Sequence, residues 1–202
     1  MSIDFTLMYL THDAFRRDLD RLTAAVAAGR AASPGVRAGW ANFTRQLHVH
    51  HTVEDSALWP PVLARLADRP ADVTLMADME AEHAALDPAL HAVDEALRTA
   101  SPDLAIHVHA LTGLLTDHML HEETKALPLI DEVLTPEDWS AFRTAMARTQ
   151  GPSGAAVYVP WVLDAATPER RRQFLAAMPA PIRPINALLW ERRYHRRRLW
   201  SH

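Results

Sequence analysis

His50-His51-Thr52-Val53-Glu54-Asp55-Ser56-Ala57-Leu58-Trp59-Pro60 and His118-Met119-Leu120-His121-Glu122-Glu123-Thr124-Lys125-Ala126-Leu127-Pro128 carry one pattern: H-x-x-x-E-[DE], with proline six residues after the first glutamate. A four-residue step turns an α-helix by about 40°, so His50 and Glu54, like His118 and Glu122, stack one turn apart on one helix face. By the same phase that face holds Leu47 and Leu58 in the first copy, and Leu111 and Leu115 in the second. Upstream of each copy lies a lone histidine on an apolar stripe, His12 and His83. The chain therefore reads as two copies of a helix pair, each supplying His, then His and Glu.

Outward from these stretches the hydrophobic period stays near 3.6, with almost no strand-like alternation. A first helix over about 4–29 lines up Phe5, Met8, His12, Phe15, Leu19, Leu22 and Val26 and stops near Gly29. A second, about 36–67, carries Trp40, Phe43, Leu47, Glu54 and Leu58, with Pro60-Pro61 marking a kink or break. A third over about 71–99 aligns Met76, Met79, His83, Leu86, Leu90 and Leu97. The fourth starts on Ser101 as N-cap with Pro102 at the first helical position and continues to about 134. Four amphipathic helices joined by short loops predict an all-α, up-down-up-down four-helix bundle over 1–134. Beyond it, 135–202 reads as an accessory helical C-terminal extension. It has helix starts at Thr135-Pro136 and Thr167-Pro168, a break at 151–154, and an Arg-rich last helix ending at Trp200.

The chain has 202 residues, twelve histidines and no cysteine. Disulfides, thiolate catalysis and thiolate-held clusters are thereby excluded, so a metal would be held by imidazole and carboxylate, a donor set suited to iron, manganese or zinc. A single H-x-x-x-E is also an ordinary surface ion pair; two copies with matching apolar context and a core-facing histidine on each alternate helix are not. Burying two carboxylates and four imidazoles in an apolar bundle is costly without compensation, and two cations bridged by Glu54 and Glu122 would supply it. The net charge of −4 is uneven: residues 169–202 hold nine Arg and two Glu, leaving −11 on the remainder. That balance speaks against nucleic acid as a partner of the main body. With no targeting signal and no apolar run long enough for a bilayer, a cytoplasmic protein without a membrane partner is expected.

At these residues the chain resembles the hemerythrin-like, or HHE cation-binding, domain family over about residues 4–134; the tail is similar to the extensions of actinobacterial members. The resemblance implies a diiron centre: two non-haem iron ions, oxo- or hydroxo- and carboxylate-bridged, with manganese as an alternative metal. Carried over residue by residue, it implies ligation by His12, His50, His83 and His118 with Glu54 and Glu122 bridging, His12 and His50 mainly at one iron and His83 and His118 at the other. The oxygen-carrying members have a further histidine four residues before the third-helix ligand, where this chain has Met79. Two readings of that departure stay open: either both metals keep open positions, or a missing ligand comes from elsewhere, with Tyr9 and Tyr158 as candidates.

An open position favours turnover of a small oxidant (hydrogen peroxide, oxygen or nitric oxide), with catalase- or peroxidase-like oxidoreductase activity. The alternative is reversible binding of oxygen or nitric oxide, or iron sensing, without turnover. His51 and His121, at the edges of the core face, are the candidates for moving protons. Arg16 and Asp87 fall one turn beyond His12 and His83, while Asp55 and Glu123 fall off the inward face. The Arg193–Arg198 run is expected to lie on the chain's own acidic body. Oligomeric state is not legible.

Overall fold

The computed structural model describes residues 2–201. It is an all-α fold, a helical bundle with a helical C-terminal extension, and no strand occurs among the described residues. The helices are α1 (Thr6–Ala27), α2 (Pro34–Val53), α3 (Trp59–Leu63), α4 (Pro70–Thr99), α5 (Leu104–His121), α6 (Leu127–Val133), α7 (Pro136–Leu163), α8 (Pro168–Ala176), α9 (Ile182–Ile185) and α10 (Glu191–Arg196). The long helices fall where the 3.6-residue period places them. Their ends follow local chemistry. Gly29, at φ 67°, takes the left-handed conformation that closes α1, its N–H donating to Val26 O at 2.9 Å. Thr167 caps α8 by accepting from Arg170 N–H. The start of α5 departs from expectation: Ser101 Oγ accepts from Asp103 N–H at 3.2 Å, a turn of its own, and the helix opens at Leu104.

The chain forms two compact units. One comprises Leu47–Thr149 with Ser2 and Ile3; the other comprises Asp4–Gln46 and the segment from Gln150 onward. Compactness thus divides the chain differently from the sequence boundary at 134/135, which follows the end of α6. Helix α7 is interrupted at Gly151 (φ 62°, ψ 173°), a backbone that glycine accepts without strain, inside the expected 151–154 break.

In the first unit α4 and α5 pack along one another, joined through Ala100 in the left-handed region. Leu47, Leu58, Met79, Leu111 and Leu115 are completely buried there, as the repeat's phase requires. Ile3 N–H donates to Asp131 Oδ1 at 2.6 Å and ties the N-terminus to the end of α6.

The second unit is centred on Phe15, whose ring lies 5.6 Å from Phe43, edge-on, and 5.1 Å from Trp161. Beside it the buried Asp18 accepts from Trp161 Nε1 at 2.8 Å and from Arg17 Nε and Nη2 at 3.0 and 2.9 Å. Arg17 also donates to the Trp161 and Asp164 carbonyls at the end of α7, where carbonyls lack helical partners. Burial would push the Asp164 carboxyl up, but the hydrogen bond and charge of Arg21, with Arg17 and the Tyr194 hydroxyl, hold it below its ordinary value. Trp200 docks against Gly39, and its N–H donates to Gly35 O at 2.7 Å. Of the tail's cations, Arg170 meets an acid of α1, Asp13, at 3.6 Å. Arg193, Arg196, Arg197 and Arg198 are exposed and form no ion pair among the described residues, so the expected docking of that run onto the acidic body is not what holds the tail. Apolar anchors and the Asp18–Asp164 network do.

Candidate metal centre

Each repeated motif breaks its helix in the same way. Glu54–Leu58 and Glu122–Ala126 are π-helical turns in which Trp59 N–H and Leu127 N–H donate back five residues, to Glu54 O and Glu122 O. The following residue is proline in both. Pro60 and Pro128 have no N–H to give the carbonyl four residues back, and their rings would collide with it, so the helix widens by one residue ahead of them. The expected kink at Pro60-Pro61 is therefore a widened turn that begins on the glutamate, and its twin occupies the second motif.

Glu54 and Glu122 are completely buried. No hydrogen-bond donor is aimed at either Glu54 oxygen. His50 Nε2 stands 3.1 Å from Oε1, outside hydrogen-bond geometry, and His83 Nε2 stands 3.8 Å from Oε2. Glu54 thus offers one oxygen to each of two imidazoles. Burial above all, then the charges of Glu122 and Asp55, pushes its carboxyl well above the usual range. A cation at these oxygens would remove that penalty, and the donors fit one.

The imidazoles around it are oriented from behind. His83 Nδ1 donates to Asp55 Oδ1 at 2.7 Å, and His118 Nδ1 donates to Glu82 Oε2 at 2.9 Å. With each Nδ1 held by a carboxylate, the two Nε2 atoms are turned to each other, at 3.2 Å. About 3 Å is also the spacing of two nitrogens bound side by side to one metal at ~2.1 Å each. Burial, above the opposing charge of Glu122, lowers the His118 pKa and keeps the imidazole in its neutral, ligating form. Glu82 Oε1 also accepts from His121 Nδ1 at 2.8 Å, so one carboxylate holds the buried His118 and the half-buried His121 together.

The chain belongs to the hemerythrin HHE cation-binding domain family. The family model matches residues 4–130. No curated protein and no solved structure matches the chain. In this HHE domain five of the six expected ligands, His50, Glu54, His83, His118 and Glu122, lie buried in the first unit, with ligand atoms of His50 and Glu122 within 4.8 Å of each other. The sixth, His12, is buried on α1 and belongs to the second unit. Together the family and the His/Glu groups point to a metal-binding site.

The other expectations divide. Tyr158 OH is paired with the Thr11 hydroxyl at 2.7 Å, and Tyr9 is 38% exposed. Arg16 lies 3.7 Å from Asp13, and Asp87 is exposed. Asp55 lies off the inward face as expected, exposed, and from there its carboxylate reaches His83 Nδ1. Glu82, one residue before His83, escaped the sequence reading altogether. Its signal was there, because the residue preceding an inward-facing histidine lies on the helix flank that meets the neighbouring helix. His51, expected at the edge of the core, stacks on His83 at 3.9 Å between ring centres and meets His118 edge-on at 5.3 Å.

Proposed function

We propose that the chain is a cytoplasmic diiron protein that turns over a small oxidant, hydrogen peroxide foremost, with oxygen or nitric oxide as alternatives. The observation that carries this is the pair of Nε2 atoms of His83 and His118, 3.2 Å apart, beside the donor-free carboxylate of Glu54. In this reading His12, His50, His83 and His118 would hold the two ions, with Glu54 and Glu122 as the bridging carboxylates, and manganese is the alternative metal. Residues 1–134 form the metal-binding domain and 135–202 the accessory extension. The metal pair supplies redox chemistry at an open coordination position.

The chain's own residues do the rest. Asp55 and Glu82 hold the imidazoles in the ligating tautomer and orientation. Leu58, Leu111 and Leu115, all completely buried, surround the site with apolar side chains and limit water. Met79 is completely buried and its thioether is a poor donor to ferric iron, so α4 offers one imidazole, His83. His121, half-buried on Glu82, is placed to hold or pass a proton at Nε2.

Anaerobic loading with Fe(II) tests this. About two irons per chain are expected, with peroxide consumed over many turnovers. Iron well below one per chain with the fold intact overturns the reading. Two irons that settle in one stable oxidised or ligand-bound form after a single equivalent of peroxide replace turnover with reversible binding or sensing.

A further inference from the structure

His50 and His51 are neighbours on α2, and neighbours on a helix point about 100° apart. They cannot serve the same side of a site. His50 turns to Glu54 Oε1. His51 turns to the imidazoles of α4 and α5: its ring lies nearly parallel to that of His83, 15° between planes, and perpendicular to that of His118. Ligand atoms of His51, His83 and His118 all lie within 4.8 Å of one another, and all three residues belong to the first unit.

We propose that His51 is a metal ligand, the third imidazole of the position formed by His83 and His118. The inference rests on the chain binding metal there. It answers the departure at Met79: the nitrogen absent from α4 is supplied by α2. Nitrogens bound to one ion are about 3.0 to 3.4 Å apart for bonds near 2.0–2.1 Å, so His51 closes the remaining gap by rotation of a half-buried side chain. His83 and His118 are locked from behind by Asp55 and Glu82 and define the position; His51 is the ligand that moves onto it. The resulting position is richer in nitrogen than the one that takes His50 and Glu122. The first equivalent of Fe(II) therefore enters at His51, His83 and His118.

The competing role for His51 is a flat cap on the His83 ring, which needs an aromatic face but no nitrogen. His51→Phe keeps the face and removes the nitrogen, and His51→Gln provides a second variant should Phe fail to fold. Metal-free stability is followed by thermal melting. Fe(II) affinity is measured anaerobically against a competing chelator, and imidazole coordination by X-ray absorption at one equivalent of Fe(II). Wild type, His83→Ala and the His51 variants are compared. The expected result is that both His51 variants lose at least about tenfold in affinity for the first equivalent and show fewer imidazoles per iron, with melting near wild type. If His83→Ala loses affinity while His51→Phe keeps both affinity and imidazole count, His51 is a cap and the proposal falls, though the metal site stands. A wild-type chain that binds no Fe(II) removes the metal reading itself, and the proposal with it.

Discussion

At the scale of single residues, the most informative side chains are two acids that touch no expected bridging position. Asp55 and Glu82 decide which nitrogen of His83 and His118 carries the proton, and so whether Nε2 can bind a metal at all. Replacing either by alanine frees the ring to rotate and removes the acceptor that favours the Nδ1 tautomer. Asp55→Ala and Glu82→Ala are each expected to weaken Fe(II) binding by about 10–100-fold in chelator competition, with little change in metal-free melting. A loss no larger than that of an exposed control such as Asp87→Ala would show that the rings are held by packing alone. Asp18 is the other decisive residue. It is completely buried and receives Trp161 Nε1–H and the Arg17 guanidinium. Removing it leaves a buried indole N–H and a largely buried cation unmatched, so Asp18→Ala should cost about 3 kcal/mol in denaturant unfolding.

At the scale of elements, the repeat was legible because its periodicity is a property of each helix separately. The i, i+4 spacing of His50/Glu54 and His118/Glu122, the inward leucines and the proline six residues on required no knowledge of neighbouring helices. The π turns were not legible. The widened turns begin on the glutamates and end ahead of Pro60 and Pro128, and Asp55, exposed on the first of them, reaches His83 on another helix. The same separation explains Ser101: sequence marks it as a start signal, but its hydroxyl is consumed by the Asp103 N–H, and the helix opens two residues later than a cap at Ser101 implies.

At the scale of the molecule, the extension is held by shape more than by charge. In the second unit Trp200 lies where a side chain on Gly39 would stand, a Cβ there colliding with the indole, and one on Gly35 would meet the Ser201 carbonyl. Gly39→Ala should therefore destabilise by about 1–3 kcal/mol and expose the C-terminal segment to limited proteolysis. Raising the salt concentration should leave that segment protected, since the seat of Trp200 is apolar and the Arg171–Glu191 pair of α8 and α10 is partly buried. Metal loading acts on the folded chain as a whole by mass action: Fe(II) at a hundred times its Kd adds about 2.7 kcal/mol, a rise in melting temperature of roughly 5–10 °C. Glu54→Ala should abolish most of that rise.

Helix content, the duplicated His-and-Glu motif, the apolar stripes and the imidazole–carboxylate donor set follow from the order of residues, because period and spacing are local and survive in any arrangement of the helices. Which acid stands behind which imidazole, the stacking of His51 on His83 and the seat of Trp200 on Gly39 do not. Each depends on two segments far apart in the chain meeting at a distance of a few ångströms.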